Sequence, residues 1–163
     1  MLIGYLRVNP TDACTLPRVI KKEMHPLEED QVSAFLKEVQ GNSHEYLYKI
    51  ALFTGLREGE VLGLGWEHID LENGILTVKR QLRKEQKKGG QYYFSPPKNN
   101  RARSISLTPS VVLLFRLQKL AQNSMRMEAG DAWQENGLVF SNQTGGYLSY
   151  RTVYDCFKRI VKK

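Results

Sequence analysis

The sequence is poor in the residues from which disulfide scaffolds and metal sites are built. Its two cysteines, Cys14 and Cys156, lie far apart and share no CxxC spacing. They fit a reduced intracellular protein better than one held together by disulfides. The three histidines, His25, His44 and His68, are scattered and form no HExxH pair. We therefore expect neither a disulfide framework nor a metal site.

Long apolar runs and nucleotide-binding loops are also missing. No run approaches the roughly 20 apolar residues that a membrane-spanning helix needs, and "MLIGYLRVNP" is interrupted too early by Pro10 to be a signal peptide. The chain contains no GxxxxGK[ST] loop and no GxSxG motif, and "GEVLGLG" lacks the spacing of a dinucleotide fingerprint. The sequence thus predicts no membrane partner and no cofactor.

Charge is distributed unevenly along the chain. Residues 1–72 carry 7 Lys/Arg and 12 Asp/Glu, whereas residues 73–163 carry 17 Lys/Arg and 5 Asp/Glu, for a total of +7. We define Lys79–Arg103 as the basic segment. It contains nine basic residues and a single acid, Glu85. Such a segment favours binding to a polyanion. A solvated basic hairpin with no ligand is the open alternative.

Periodicity and turn residues predict an α+β fold, mainly α-helical with a small three-stranded antiparallel sheet. Helices are expected after Pro26, over His44–Thr54, after Arg57, from Thr108 to about Ala129, and after Ser149. Three short strands are expected in "IDLENGILTVKRQL", "QYYFSP" and "RARSISLT", joined as a meander. The pattern also predicts that Phe53 and Leu120 lie on buried faces.

The stretch "ALFTGLREGEVLGLGW" combines a helix break with charged residues. Gly55 is sufficient to end the first helix, so Arg57 and Glu60 need a separate explanation. A planar guanidinium can bind two oxygens of a phosphate at once. The alternative is that Arg57 is a surface residue and Glu60 a first-turn acid favoured by the helix dipole.

An ordered set of segments resembles the tyrosine recombinases, also called the phage integrase family. "TGLREGEVLGL" is similar to the family's first arginine box, and "HPLEEDQVSAFL" to the first helix of its catalytic domain. "GWEHIDLENGILTV" and "PPKNNRARSISLT" resemble the approach to the first strand and the lysine hairpin. "LVFSNQTGGYLSYRTVYDCFKRIVKK" is similar to the stretch that precedes the family's His-x-x-Arg box. The likeness covers nearly the whole chain.

The resemblance implies site-specific DNA recombination through a 3′-phosphotyrosyl intermediate, without metal or ATP. It assigns Arg57 to stabilisation of the phosphorane, Glu60 to orientation of Arg57 and its neighbours, and Lys98 to protonation of the leaving 5′-oxygen. It implies residues 1–25 as an interdomain linker and the end of a DNA-binding domain, followed by the catalytic part at 26–163. Its partners would be double-stranded DNA and other protomers in a tetramer, in the bacterial cytoplasm. The expected DNA-binding residues are Lys79, Arg80, Arg83, Lys84, Lys87, Lys88, Arg101 and Arg103.

The sequence departs from the family pattern in one important respect. No His-x-x-Arg motif occurs in it, and none of its tyrosines follows such a motif. We therefore expect a catalytic-domain fragment that does not cleave DNA by itself. A non-catalytic DNA-binding module on the same scaffold, and a basic protein that binds RNA or an acidic partner, are the alternatives.

Overall fold

A computed structural model describes residues 9, 11, 14, 15, 26–87, 89–98 and 100–162. The predicted linker at 1–25 lies outside these residues apart from four positions, so its assignment stays a prediction. The described helices are α1 (Glu29–Glu38), α2 (Glu45–Thr54), α3 (Glu58–Leu62), α4 (Pro109–Ala129) and α5 (Tyr150–Val161). The strands are β1 (Ile69–Asp70), β2 (Ile75–Val78), β3 (Gln81–Lys84), β4 (Tyr92–Ser95) and β5 (Arg103–Ser106).

The strands confirm the α+β prediction but are grouped differently from the expected meander. A three-stranded antiparallel sheet has the order β1-β2-β5, and β3 pairs with β4 in a separate two-stranded hairpin. The predicted first strand is divided after Val78, which pairs with Arg103, whereas Gln81 already pairs with Ser95. Arg80 lies at the division. It donates from Nε to the Gly63 carbonyl at 2.9 Å, so the side chain at the division is bound to the C-terminal end of α3.

The core is shared between the helices and both sheets. Ile50 of α2, Phe115 of α4, Leu62 of α3, Leu76 of β2 and Leu82 of β3 are among its fully buried side chains. The prediction that α2 is buried on nearly all sides is wrong at Phe53, which is exposed. The helix packs on α3 and α4 and, through Tyr48, on Phe35 and Phe157, but Phe53 stays 55% exposed beside these contacts.

The hairpin β3–β4 is held close to the helices by a glycine and a tyrosine. A Cβ atom at Gly63 would lie 2.6 Å from the backbone nitrogen of Leu82, so only glycine permits this approach of β3 to the end of α3. The Tyr150 hydroxyl, at the start of α5, donates to the Leu82 carbonyl. The hairpin is therefore positioned by α3 and α5 rather than by the other sheet.

The longest helix, α4, begins at Thr108-Pro109 as predicted. Phe115 is fully buried on its inner face. The prediction that Leu120 is buried is wrong, since its side chain is 63% exposed on the outer face. No helix in the described part of the chain combines the length and the apolarity needed to cross a membrane.

Replacing Leu62 tests whether α3 is fixed by core packing. Leu62 is 1% exposed, and we expect Leu62→Ala to lower the free energy of unfolding by about 2–5 kcal/mol because it leaves a cavity. Leu120→Ala, the matched control on the exposed face of α4, should change it by less than about 0.5 kcal/mol. Urea unfolding followed by circular dichroism measures both. Equal effects would contradict the assignment of Leu62 to the core.

Candidate active site

The break between α2 and α3 places Arg57 at the start of a helix. Gly55 ends α2 in the left-handed conformation, with φ 64°, and its N–H donates to the Ala51 carbonyl at 3.0 Å. Leu56 is buried and anchors the turn. Arg57 then adopts an extended backbone, with φ −70° and ψ 152°, as the N-cap of α3. Its backbone is thus fixed by packing on both sides.

Glu60 lies in the first turn of α3, and its side chain is only 1% exposed. Its Oε2 atom accepts a hydrogen bond from the Arg57 N–H at 2.8 Å. This bond satisfies one of the backbone donors that a helix start leaves without an intrahelical partner. Its Oε1 atom lies 3.3 Å from Nη1 of Arg57. Glu60 therefore contacts both the backbone and the guanidinium of the arginine.

The same carboxylate binds a second arginine from a distant strand. Arg103, 43 residues away on β5, donates from Nη1 to Oε1 and from Nη2 to Oε2 of Glu60, both at 2.7 Å. Parallel hydrogen bonds between charged partners of this kind are short and strong. These two hydrogen bonds join the N-terminus of α3 to β5, an edge strand of the larger sheet.

The environment keeps Glu60 and Arg103 ionised at neutral pH. The hydrogen bonds from Arg103 are the main cause that lowers the pKa of Glu60 from 4.5 to about 2, against the opposing effect of burial. The hydrogen bonds with Glu60 raise the pKa of Arg103 above its ordinary value. One carboxylate between two guanidinium groups leaves a net charge of +1, which favours an anion.

Arg57 is the more available of the two arginines. Its side chain is 63% exposed and makes one long contact with Glu60, whereas that of Arg103 is 38% exposed and commits both Nη atoms. A guanidinium carries five N–H donors, so most of those on Arg57 face outward. This arrangement can hold the oxygens of a phosphate group.

Lys98 lies in the loop 96–102 between β4 and β5, where it is exposed. A hydrogen bond from the Asn100 N–H to the Pro97 carbonyl, at 2.8 Å, closes a turn around it. Arg103 follows five residues later and binds Glu60. The C-terminal end of the loop that carries Lys98 is therefore attached to α3. The role of Lys98 stays a prediction.

The other predicted DNA-binding residues differ in their surroundings. Lys79, Arg83, Lys84, Lys87 and Arg101 are exposed, whereas Lys88 lies outside the described residues. The guanidinium of Arg80 is engaged within the protein, since it also lies 4.1 Å from the Phe94 ring centroid and 3.2 Å from Glu67. Lys87 forms an ion pair with Glu85 at 3.0 Å. That these residues contact DNA stays a prediction.

Several tyrosines serve the fold. Tyr92 packs on Tyr147 with ring centroids 5.4 Å apart. Burial is the main cause that raises the pKa of Tyr150 to about 12, so its hydroxyl stays protonated. Tyr154 is exposed.

Sequence reasoning missed the pairing of Glu60 with Arg103. Arg103 was expected to contact phosphate, and no short motif connects it with Glu60. A weaker signal was present, because Glu60 directly precedes the apolar pair Val61-Leu62 on a helix too short to have a wide polar face. A carboxylate in that setting requires a cationic partner.

Acid unfolding tests the ion pair at Glu60. Because the pKa of Glu60 is lowered in the folded state, its contribution to stability is complete above pH 4.5 and is lost as the pH falls through about 2. We expect Glu60→Gln to be less stable than the wild type by about 3 kcal/mol at pH 7, with the difference vanishing near pH 2. Urea unfolding at each pH measures this. Glu29→Gln, which replaces an exposed acid in the first turn of α1, is the control, and a constant difference for Glu60→Gln would contradict the assignment.

Known proteins resemble the chain in sequence. It is 25% identical over 179 residues to a XerC-like tyrosine recombinase of Caldanaerobacter subterraneus subsp. tengcongensis. The aligned region covers 98% of this chain and 45% of the relative. It is 30% identical over 127 residues to the prophage integrase IntR of Escherichia coli strain K12, which covers 77% of this chain and 29% of the relative. The chain thus spans less than half the length of these relatives.

Solved structures resemble it in fold, and a family model resembles it in sequence. The Tn1549 transposon integrase in complex with transposon right end DNA superposes with a TM-score of 0.71 at 27% identity, covering 96% of this chain and 51% of that one. The XerA recombinase shares the fold, with a TM-score of 0.60 at 17% identity over 91% of this chain and 45% of that one. The model described as the phage integrase family matches residues 25–163. The chain therefore belongs to the phage integrase family, that of the tyrosine recombinases.

Proposed function

We propose that this chain is the part of a tyrosine recombinase catalytic domain that binds and activates the phosphate to be cleaved. One observation carries the proposal. Arg57 is bound through its backbone and its side chain to the buried carboxylate of Glu60, and the Arg57 guanidinium is still exposed. The full-length protein would exchange DNA strands through a 3′-phosphotyrosyl intermediate. It would integrate or excise a mobile element in the bacterial cytoplasm.

Arg57 would act on the charge that develops during the reaction. Attack on a phosphodiester places extra negative charge on the two non-bridging oxygens, and a planar guanidinium can bind both. Donors fixed before the reaction stabilise such charge without reorganisation, which is usually the largest catalytic effect. Glu60 supplies that fixation, because its Oε2 atom holds the Arg57 N–H at 2.8 Å.

Lys98 would supply the proton for the leaving 5′-oxygen. An exposed ammonium on a loop can approach a departing oxygen, and a lysine can lose its proton, which an arginine does not. The anchoring of the loop through Arg103 supports this role, because it ties the lysine to the helix of Arg57. Strand cleavage of this kind requires neither a metal nor ATP, since the phosphotyrosyl bond retains the energy of the phosphodiester.

Double-stranded DNA would be the partner of the basic segment. Its exposed cations Lys79, Arg83, Lys84 and Arg101, together with Lys87 and Lys88, would contact phosphates and position the duplex without reading its sequence. The complex of the similar Tn1549 integrase with DNA supports this proposal. Exchange between two duplexes breaks four strands, and each protomer offers one nucleophile, so we propose a tetramer of the full-length protein.

The chain by itself would bind DNA without cutting it. The sequence contains no His-x-x-Arg motif, and none of its eight tyrosines follows one. The second arginine and the nucleophile that the mechanism needs would belong to a further segment of the full-length enzyme.

Arg57→Lys in the full-length enzyme tests the catalytic assignment. Because lysine cannot bind two oxygens in a plane, we expect strand cleavage to slow by about 10²–10³-fold, measured as covalent protein–DNA adduct on a nicked substrate. Arg151→Lys, an exposed arginine on α5 that pairs with Asp155, should leave the rate unchanged. Cleavage by Arg57→Lys at the wild-type rate would refute the role of Arg57.

Salt titration tests the DNA surface with the chain as it is. We expect weak binding to duplex DNA, followed by fluorescence anisotropy, with log Kobs falling linearly against log salt concentration. Arg83→Gln and Arg101→Gln should each reduce the size of the slope by about 0.9, because each removes one phosphate contact. Lys37→Gln on α1, outside the basic segment, is the control. A slope near zero for the wild-type chain would contradict a DNA surface here.

A further inference from the structure

One buried carboxylate serves two arginines unequally. Arg103 binds both oxygens of Glu60 at 2.7 Å, whereas the guanidinium of Arg57 reaches only Oε1, at 3.3 Å. The Nη1 atoms of Arg57 and Arg103 both contact Oε1 of Glu60, at 3.3 Å and 2.7 Å, so the two Nη1 atoms are at most about 6 Å apart. They compete for the same acceptor, and Arg103 holds the better geometry.

The competition has an electrostatic cause. A carboxylate that is 1% exposed needs a cation beside it. Arg103 satisfies that need with two short hydrogen bonds, so Glu60 holds the guanidinium of Arg57 by only one long contact. Without Arg103, Arg57 would be the nearest cation, its backbone already fixed to Oε2 and its Nη1 already within 3.3 Å of Oε1. Arg57 is thus the arginine best placed to turn inward and bind Glu60 through both of its Nη atoms.

We propose that Arg103 is a positioning residue that keeps Arg57 free by occupying Glu60. Its contribution to phosphate binding is indirect, since it acts through the orientation of a neighbouring guanidinium. This inference rests on the proposed function for the identity of the anion. The competition between the two arginines stands on the geometry alone.

A direct phosphate contact by Arg103 is the competing explanation. The structure disfavours it because both Nη atoms of Arg103 point at Glu60 and its side chain is the less exposed of the two. The two explanations differ in the effect of neutralising Glu60. If Arg103 acts only by occupying the carboxylate, Glu60→Gln will cancel the effect of losing Arg103. If Arg103 binds phosphate itself, Glu60→Gln will not.

Nuclear magnetic resonance of arginine side chains tests the inference without DNA. In the wild-type chain we expect rapid rotation about the Cζ–Nε bond of Arg57. In Arg103→Gln, which keeps one donor to Glu60 but no charge, rotation should slow because Arg57 binds the carboxylate. In Glu60→Gln/Arg103→Gln it should become rapid again. Unchanged rotation of Arg57 in Arg103→Gln would overturn the proposal.

A second variant keeps the test decisive if Arg103→Gln does not fold, as thermal unfolding will show. Arg103→Lys retains the charge, but its ammonium cannot bridge both carboxylate oxygens as a guanidinium does. Arg57 should then strengthen its hydrogen bonding to the carboxylate, and its rotation should slow relative to the wild type. Rotation in Arg103→Lys as rapid as in the wild type would overturn the proposal.

DNA binding by the chain gives the second readout. Arg57→Ala should weaken binding about tenfold in the wild-type background, as expected for a lost charge-assisted contact, and again in Glu60→Gln/Arg103→Gln. It should weaken binding less than about twofold in Arg103→Gln, where Arg57 is already withdrawn. Equal losses in wild type and Arg103→Gln would overturn the inference. If Arg57→Ala has no effect even in the wild type, the proposed phosphate site fails, and the rotation of Arg57 still decides the competition.

Discussion

The carboxylate of Glu60 is the group on which the geometry of the site depends. It is buried, and it accepts hydrogen bonds from the Arg57 backbone, the Arg57 guanidinium and both Nη atoms of Arg103. An isolated ionised carboxylate in such a place would be very costly. The cost is offset only when a helix start and a strand 43 residues away both supply donors. The ionised carboxylate of Glu60 can therefore be buried only when both elements are in place.

Local signals predicted the parts of the fold that local chemistry determines. Gly55 ended α2, Thr108-Pro109 began α4 and Ser149 preceded α5, since each of these depends on backbone conformation within a few residues. The ordered motifs also predicted the family, which the comparisons confirm. Arg57 and Glu60 were placed together for the same reason, being three residues apart on one helix turn.

Long-range pairing could not be predicted from the same signals. Nothing within the basic segment distinguishes Arg103, which binds Glu60, from Arg101, which is exposed. The division of the sheets after Val78 likewise lies beside a contact across 17 residues, from Arg80 to the Gly63 carbonyl, that no local signal indicates. Leu120 was misassigned because helical periodicity identifies apolar positions but does not reveal whether another element covers them.

The attachment of the β3–β4 hairpin to α5 has a consequence for biosynthesis. A two-stranded hairpin is marginally stable by itself, and this one is held through the Leu82 carbonyl by the hydroxyl of Tyr150, 68 residues later. A ribosome therefore releases β3 and β4 well before the residue that secures them. The contacts that position the hairpin, from α3 and from α5, are therefore complete only after α5 has been synthesised and has docked.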